Sequence, residues 1–336
     1  MVNRNQLIFF GLTVLLLQAC ASIYTVVEFE VLEPATVSLP EEVSQLIVLN
    51  RAPISLNSFE QEDVKGLEEK HLEILDTLII KSIQRGLLNV FRESPIERFH
   101  RPIWLDERRK DTAKLDDLLL TRREVDNICR ENGGDAIISL EAYSMDYEDH
   151  FQSFSDSYFT ATKYWEISNI INWSIYLPGS PKPFDSYTMV DTLYFTEVLD
   201  GELIRRYTAA QMLSEAFYKS GRSYGRYLVP VWSNTSRSIY KGKEEELRKA
   251  SKLTNKGDWD QAYDIWEGLS KTDNNTAGAK ALYNMAIFHE LEDQLDLASR
   301  LVDEALQKDT LELIRSYKEE IDTRLLNQKE LYKQVR

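Results

Sequence analysis

The chain has 336 residues and a net charge of −15, which becomes −16 when Arg4, the one charged residue in positions 1–19, is left out. An acidic chain of this kind excludes a nucleic-acid or anionic-lipid surface, because phosphate binding needs clustered Lys and Arg. The longest basic run, Arg108-Arg109-Lys110, is flanked by Asp106, Glu107 and Asp111 and reads as a solvated loop or helix face. Only two cysteines are present, so the framework of a disulfide-stapled mini-protein is excluded, and a chain this long can bury an adequate core without one.

The first twenty residues have the layout of a secretory leader. A polar, positive start at Asn3-Arg4-Asn5 precedes an apolar run over Leu7–Leu17, then Gln18-Ala19-Cys20. The run is too short for a transmembrane span, and a small residue precedes the cut. A cysteine directly after that small residue resembles a bacterial lipobox, in which the cysteine is acylated and becomes the mature N-terminus. Residues 1–19 are therefore expected to be a signal peptide and Cys20 the lipidation site. Acyl chains would give stable membrane anchoring, at about 0.8 kcal/mol per buried methylene. Residues 21–26 lack an acidic cluster, which favours the periplasmic side of the outer membrane. With Cys20 acylated, Cys129 stands alone, behind Val125 and Ile128 on a predicted helix, and reads as a small core residue.

Over Thr25–Leu32, Val27, Phe29 and Val31 alternate with Glu28 and Glu30, as in a half-buried strand. Leu46–Leu49 is apolar on both faces and predicts a central strand. A long helix is expected over about 62–91, with Leu67, His71, Ile74, Leu75, Leu78, Ser82, Ile83, Leu87 and Phe91 on one stripe. Residues 92–118 are poorly patterned, with a short apolar piece at 103–105. Thr121 and Glu124 form a capping box, and Gly133-Gly134 ends the helix that it starts. A strand is expected over 135–147, a polar loop with aromatics over 150–159, and an antiparallel pair over 170–177 and 187–198. Another helix is predicted over 206–228, where Gly221 and Gly225 would permit close approach to a neighbour. Pro230 and Trp232 are expected to close this domain.

Past Tyr240 the strand patterns stop. Two stretches match at an offset of 36 residues, pairing Ala250 with Ala286, Trp259 with Leu295, Asp260 with Asp296 and Ala262 with Ala298. This resembles the tetratricopeptide (TPR) helix–turn–helix repeat, with small residues where two helices cross. Ala250, Ala262, Trp266, Ala286, Ala298 and Ala305 take the TPR-like packing positions. Glu246, Lys249 and His289 depart from that pattern. A further helix over 311–331 would cap the stack.

The order of lipobox, Val48-Leu49-Asn50-Arg51, the Gly-Gly-Asp-Ala-Ile-Ile segment at 133–138, Pro230-Val231-Trp232 and Gly-Asp-Trp-Asp-Gln-Ala at 257–262 resembles a family of bacterial cell-envelope lipoproteins with a TPR-like C-terminal region. The first domain is also loosely similar to the α/β domains of curli-secretion and TolB-type envelope proteins. The expected fold is an α+β N-terminal domain over 20–235, a mixed sheet with packed helices. An all-α TPR-like helical repeat region with its capping helix follows over 240–336.

No catalytic motif stands out. The four histidines are far apart and none pairs at i, i+4, no Gly-x-Ser-x-Gly elbow occurs, and adjacent acids such as Asp146, Glu148 and Asp149 are unsurprising among 55. No enzyme activity, cofactor or metal is expected. The expected function is a lipid-anchored, non-enzymatic docking or scaffold protein of the cell envelope. The membrane would be its partner through the N-terminal lipid, and another envelope protein through the helical repeats. The rival is a glycan- or peptidoglycan-binding lipoprotein that uses Phe151, Phe154 and Tyr158 as a ligand loop; a divergent hydrolase ranks behind it.

Overall fold

The computed structural model describes residues 24–53, 69–109, 119–153, 161–199 and 208–335. Cys20, Phe154 and Tyr158 lie outside the described residues. The chain divides into two compact units, one spanning Glu33–Trp232 with Leu331–Arg336 and the other Ser233–Glu330 with the residues up to Leu32.

The first unit is built on a five-stranded mixed sheet of order β3-β2-β4-β5-β6. β2 (Leu46–Asn50) lies parallel to β3 (Ile103–Asp106) and to β4 (Ala136–Ser153), while β5 (Ala161–Tyr176) and β6 (Asp185–Leu199) continue antiparallel. Every residue of β2 is buried. A strand covered on both faces needs helices on both sides. Helix α1 (Glu69–Glu93) and helix α3 (Ala209–Leu228) pack on one face around Val48, Ile83, Leu87, Phe91, Ile171, Trp173 and Phe217. The short helix α2 (Arg122–Asn132) covers Ile47, Leu49 and Ile137 on the other face with Val125 and Cys129. The Thr121–Glu124 capping box is present, and Gly133 ends α2 at φ 70°. Cys129 is buried, and that burial, with a smaller push from Asp135 and Asp126, raises its thiol to about 11. The thiol is inert at neutral pH.

Three readings of the sequence need correction in this unit. Residues 103–105, poorly patterned in sequence, form an edge strand, because a four-residue parallel strand is too short to show a period. His150 to Ser153 continue β4 rather than open a loop; the composition there is polar and aromatic like a loop's, but the ladder to β5 runs on. On α1, Ile74 is 57 % exposed, and the covered face instead carries Asp76, Ile79 and Ile80. Of the proposed ligand loop, Phe151 is described only as backbone of β4.

The two helices on one face are in close contact because glycines line the crossing. A Cβ on Gly221 would lie 2.2 Å from the Ile83 carbonyl oxygen, and one on Gly86 2.1 Å from that of Tyr218. Between two parallel strands, Asp135 ties the start of β4 to the start of β2. Its Oδ2 accepts from the Ser44 hydroxyl (2.7 Å) and from the backbone N–H of Gln45 (2.9 Å) and Ser44 (3.0 Å). These bonds, the Ser44 hydroxyl first, hold its carboxyl below the usual carboxylate range.

In the second unit, β1 (Tyr24–Glu33) and β7 (Val231–Tyr240) form a two-stranded sheet. Val231–Tyr240 is therefore a strand and not merely the end of a domain; its Ser-Asn-Thr-Ser-Arg-Ser stretch hid the alternation. The helices α4 (Glu245–Thr254), α5 (Trp259–Ser270), α6 (Asn275–Leu291), α7 (Leu295–Lys308) and α8 (Glu312–Gln334) follow. The α4–α5 turn recurs 36 residues on between α6 and α7. Asp258 N–H donates to Leu253 O as Gln294 N–H does to His289 O, and Gly257 and Asp293 both have positive φ, 84° and 56°. Ala250, Ala262, Trp266, Ala286, Ala298 and Ala305 are all fully buried in one core with Ile314, Tyr317 and Ile321 of α8.

α6 is covered nearly all round, and β7 fills part of its surroundings. Asn284 accepts from the Tyr240 N–H and donates to the Tyr240 carbonyl, each at 2.8 Å, and the Tyr283 hydroxyl donates to Ser238 O at 2.7 Å. Buried Glu290 takes Arg237, Arg324 and the Tyr317 hydroxyl, all at 2.8 to 2.9 Å. Burial alone would disfavour the charge on Arg237, but Glu290 outweighs it and the guanidinium is held more firmly protonated than usual.

Two outcomes follow. Gly221→Ala should lower the urea midpoint, by about 2 kcal/mol or more in unfolding free energy, because backbone must move, whereas Gly268→Ala, with open space around it, should raise stability by about 0.5 kcal/mol. Asp135→Asn should destabilise at pH 6. A carboxylate with a depressed folded pKa contributes stability above its unfolded value and loses it as pH falls through the folded one. The difference between wild type and variant should therefore shrink toward zero below about pH 4.

Candidate functional site

In open sheets with parallel strands, ligands bind outside the carboxyl ends where the strand order reverses. Here that point is β2, with β3 on one side and β4 on the other. Its carboxyl end carries a buried polar network. The β4 bulge between Leu140 and Ala142 places Glu141 there, 1 % exposed. Arg51, the residue after β2, reaches Glu141 Oε2 at 3.1 Å, Arg109 reaches it at 3.4 Å, and the Tyr176 hydroxyl donates to Oε1 at 2.9 Å. Burial pushes the Tyr176 hydroxyl up to about 12, helped by the neighbouring Glu141 charge.

A second cluster adjoins it in sequence. Asp76 of α1, 2 % exposed, pairs with Arg108 and accepts from the Tyr143 hydroxyl. Arg108 also reaches Asp106 (3.1 Å), whose other contact is the Asn50 amide (3.0 Å). Arg108 and Arg109 are thus not a solvated basic face. Each is aimed inward at a buried carboxylate, and the flanking acids that suggested solvation gave no sign of partners at 76 and 141. The signal open to sequence reading was Asn50-Arg51 directly after an all-apolar strand, since a charge there sits at the carboxyl edge. With each guanidinium matched to a carboxylate, the network serves as an internal ion lock rather than an anion cradle.

The opposite end of the long hairpins presents a different chemistry. After the bulge, even-numbered residues of β4 and β5 share the face not covered by α1 and α3. Across β4, β5 and β6 they form the rows Ser144-Ile170-Val190, Asp146-Ser168-Thr192, Glu148-Glu166-Tyr194 and His150-Tyr164-Thr196. Ile170, Val190 and Tyr194 are exposed on this face. Glu148, His150 and Glu166 bring their donor atoms within 4.8 Å of one another and are the residues that could hold a metal ion among those described. Searching for histidine pairs at i, i+4 misses this set, because in a strand the informative pattern is Glu-x-His at i, i+2.

A third feature is an open pocket of about 340 Å³ lined by Glu33, Thr36, Tyr187, Asp191, Arg226 and Tyr227. The rings of Tyr187 and Tyr227 stack at 4.3 Å, and Trp173 and Tyr224 continue the stack at 4.1 Å below. The Tyr227 hydroxyl donates to Asp185 (3.1 Å); burial first, then the Asp185 charge, raises it to about 12. Of the sequence-derived sites, the six packing residues meet in one core.

The family model described as Domain of unknown function (DUF8603) matches residues 43–240. Since this is more than half of the chain, the protein belongs to that family. A second model, Domain of unknown function (DUF6340), matches residues 248–329. No curated protein matches. A crystal structure of a neuraminyllactose-binding hemagglutinin homologue from Helicobacter pylori is similar at 14 % identity, with 58 % of this chain and 88 % of that chain covered and a TM-score of 0.31.

Removing one partner from a buried ion group strands the others at a cost of about 3 to 5 kcal/mol. Glu141→Gln should therefore lower the urea midpoint far more than Glu148→Gln, whose carboxylate is exposed.

Proposed function

We propose that this DUF8603 family member is a lipid-anchored protein of the cell envelope. Cys20 would carry the lipid at the periplasmic face of the outer membrane, and the body would act as a non-enzymatic docking module for another envelope protein. The leader and its Cys20 support the anchoring. The observation that carries the docking part is the helix–turn–helix unit that recurs at 36 residues, with the same turn and the same fully buried small residues. This favours a TPR-like pair, an architecture whose exposed helix faces receive partner segments. β7 already lies against α6 through Asn284 and Tyr283, so the faces left for a partner are the outer ones of α5 and α7. These expose Asp260, Asp264 and Glu267, and Asp296 and Glu304. Such a surface suits a basic partner.

A second reading, a glycan-binding lipoprotein, is favoured by the stacked tyrosines beside Asp191 and Arg226 in the open pocket. Aromatic faces with adjacent charged and hydroxyl groups suit sugar rings.

The test uses intact cells. Palmitate label should enter the wild type and not Cys20→Ser, which should move to the soluble fraction. A photo-crosslinker placed at Gln261 should trap one basic envelope protein, and the double reversal Asp264→Lys/Glu267→Lys should abolish the adduct. Unchanged labelling of Cys20→Ser would overturn the anchoring. An adduct indifferent to charge reversal, or retention on immobilised glycan lost in Tyr187→Ala, would overturn the docking assignment in favour of another surface.

A further inference from the structure

We propose that Glu148, His150 and Glu166 form a binding site for a divalent transition-metal ion of the zinc class. Glu148 and His150 are two apart on β4 and share a face; Glu166 of β5 is the register partner of Glu148, and Tyr164 is that of His150. Three elements of the geometry converge on one point. The His150 Nε2 atom lies 3.2 Å from Glu148 Oε2 and 3.9 Å from Glu166 Oε2. That nitrogen is shielded from water yet makes no aligned hydrogen bond. The Tyr164 ring stacks on the imidazole at 4.6 Å and 18°, which fixes the ring plane.

Charge supplies the second, independent argument. Two glutamates directly opposite on an antiparallel ladder repel each other. Among the described residues, the His150 imidazole lies within 4.0 Å of both carboxylates. A divalent cation between them would cancel both charges and take up the imidazole lone pair. Bonds of about 2.0 to 2.2 Å in a tetrahedral site place donor atoms about 3.3 Å apart. The 3.2 Å pair is already at that spacing, and rotation of the half-exposed Glu166 carboxylate closes the longer gap.

The donor set selects the metal class. One imidazole nitrogen with two carboxylates and no thiolate suits zinc, manganese or iron(II) rather than copper(I). Calcium and magnesium prefer all-oxygen sets. Three protein ligands leave a fourth position open on the face away from α1 and α3, where water or a donor group from a bound molecule can enter. The ion would also clip β4 to β5 near Ser153, where β4 ends.

The full chain, stripped with a chelator and dialysed, is titrated with zinc sulfate against a chromogenic competitor. One saturable equivalent is expected, weakened by roughly a hundredfold or more in His150→Ala. Glu166→Gln, which keeps the strand and the side-chain volume, should weaken binding in the same direction, and zinc should raise the melting temperature of the wild type but not of this variant. Circular dichroism verifies that both variants keep the fold. Absence of a saturable equivalent overturns the site, as does affinity unchanged in both variants.

Discussion

The first unit depends on one constraint, a five-residue strand buried on both faces. Leu46–Asn50 is buried throughout, so nearly every neighbour has to be supplied by the chain. β3 and β4 take its backbone groups, helices cover both faces, and its two ends need polar closure. At one end Asp135 gathers the Ser44 and Gln45 amides. At the other the chain turns out of the sheet through Arg51, which has to find an anion because it is nearly buried. Glu141 is that anion, and it is in place because β4 carries a bulge. Removing a charge from water is costly unless it is paired and hydrogen-bonded, which is why Glu141 collects two arginines and a tyrosine hydroxyl.

The bulge has a second consequence. A one-residue shift exchanges the faces of a strand. Before it, even-numbered residues such as Ile138 and Leu140 face the core under α1 and α3; after it, odd-numbered Tyr143 and Met145 do. Glu148 and His150 are thereby turned to the face away from α1 and α3, beside Glu166. One irregularity thus both seats the buried carboxylate and aims the metal-type donors outward.

The second unit solves a different problem. Its α6 is apolar and small-sided nearly all round, with Ala277, Ala279, Ala281 and Ala286 buried, and cannot sit at a surface. Its neighbours are helices and also β7, whose backbone Asn284 satisfies in both directions. Glu290 at the end of the same helix would be an isolated buried charge without Arg237 of β7 and Arg324 of α8. Strand and helices are therefore bound into one core by polar contacts at defined points.

Local patterns were legible wherever one element supplied both halves of the signal. The Thr121–Glu124 box, the αL Gly133, the two-faced apolar strand and the Gly221–Gly225 spacing all follow from residues within a few turns of each other. What only the tertiary structure decided involves distant partners. Arg108 and Arg109 read as solvated because their carboxylates lie at 76 and 141. β7 is not legible in sequence because its ladder partner β1 is some 200 residues earlier and its outer positions are serine and threonine. The Glu148–His150–Glu166 group is not legible in sequence, since a strand register, set by a bulge and a distant hairpin, is what brings Glu166 opposite. Periodicity reports which face of an element is apolar; it carries no record of which other element comes to meet it.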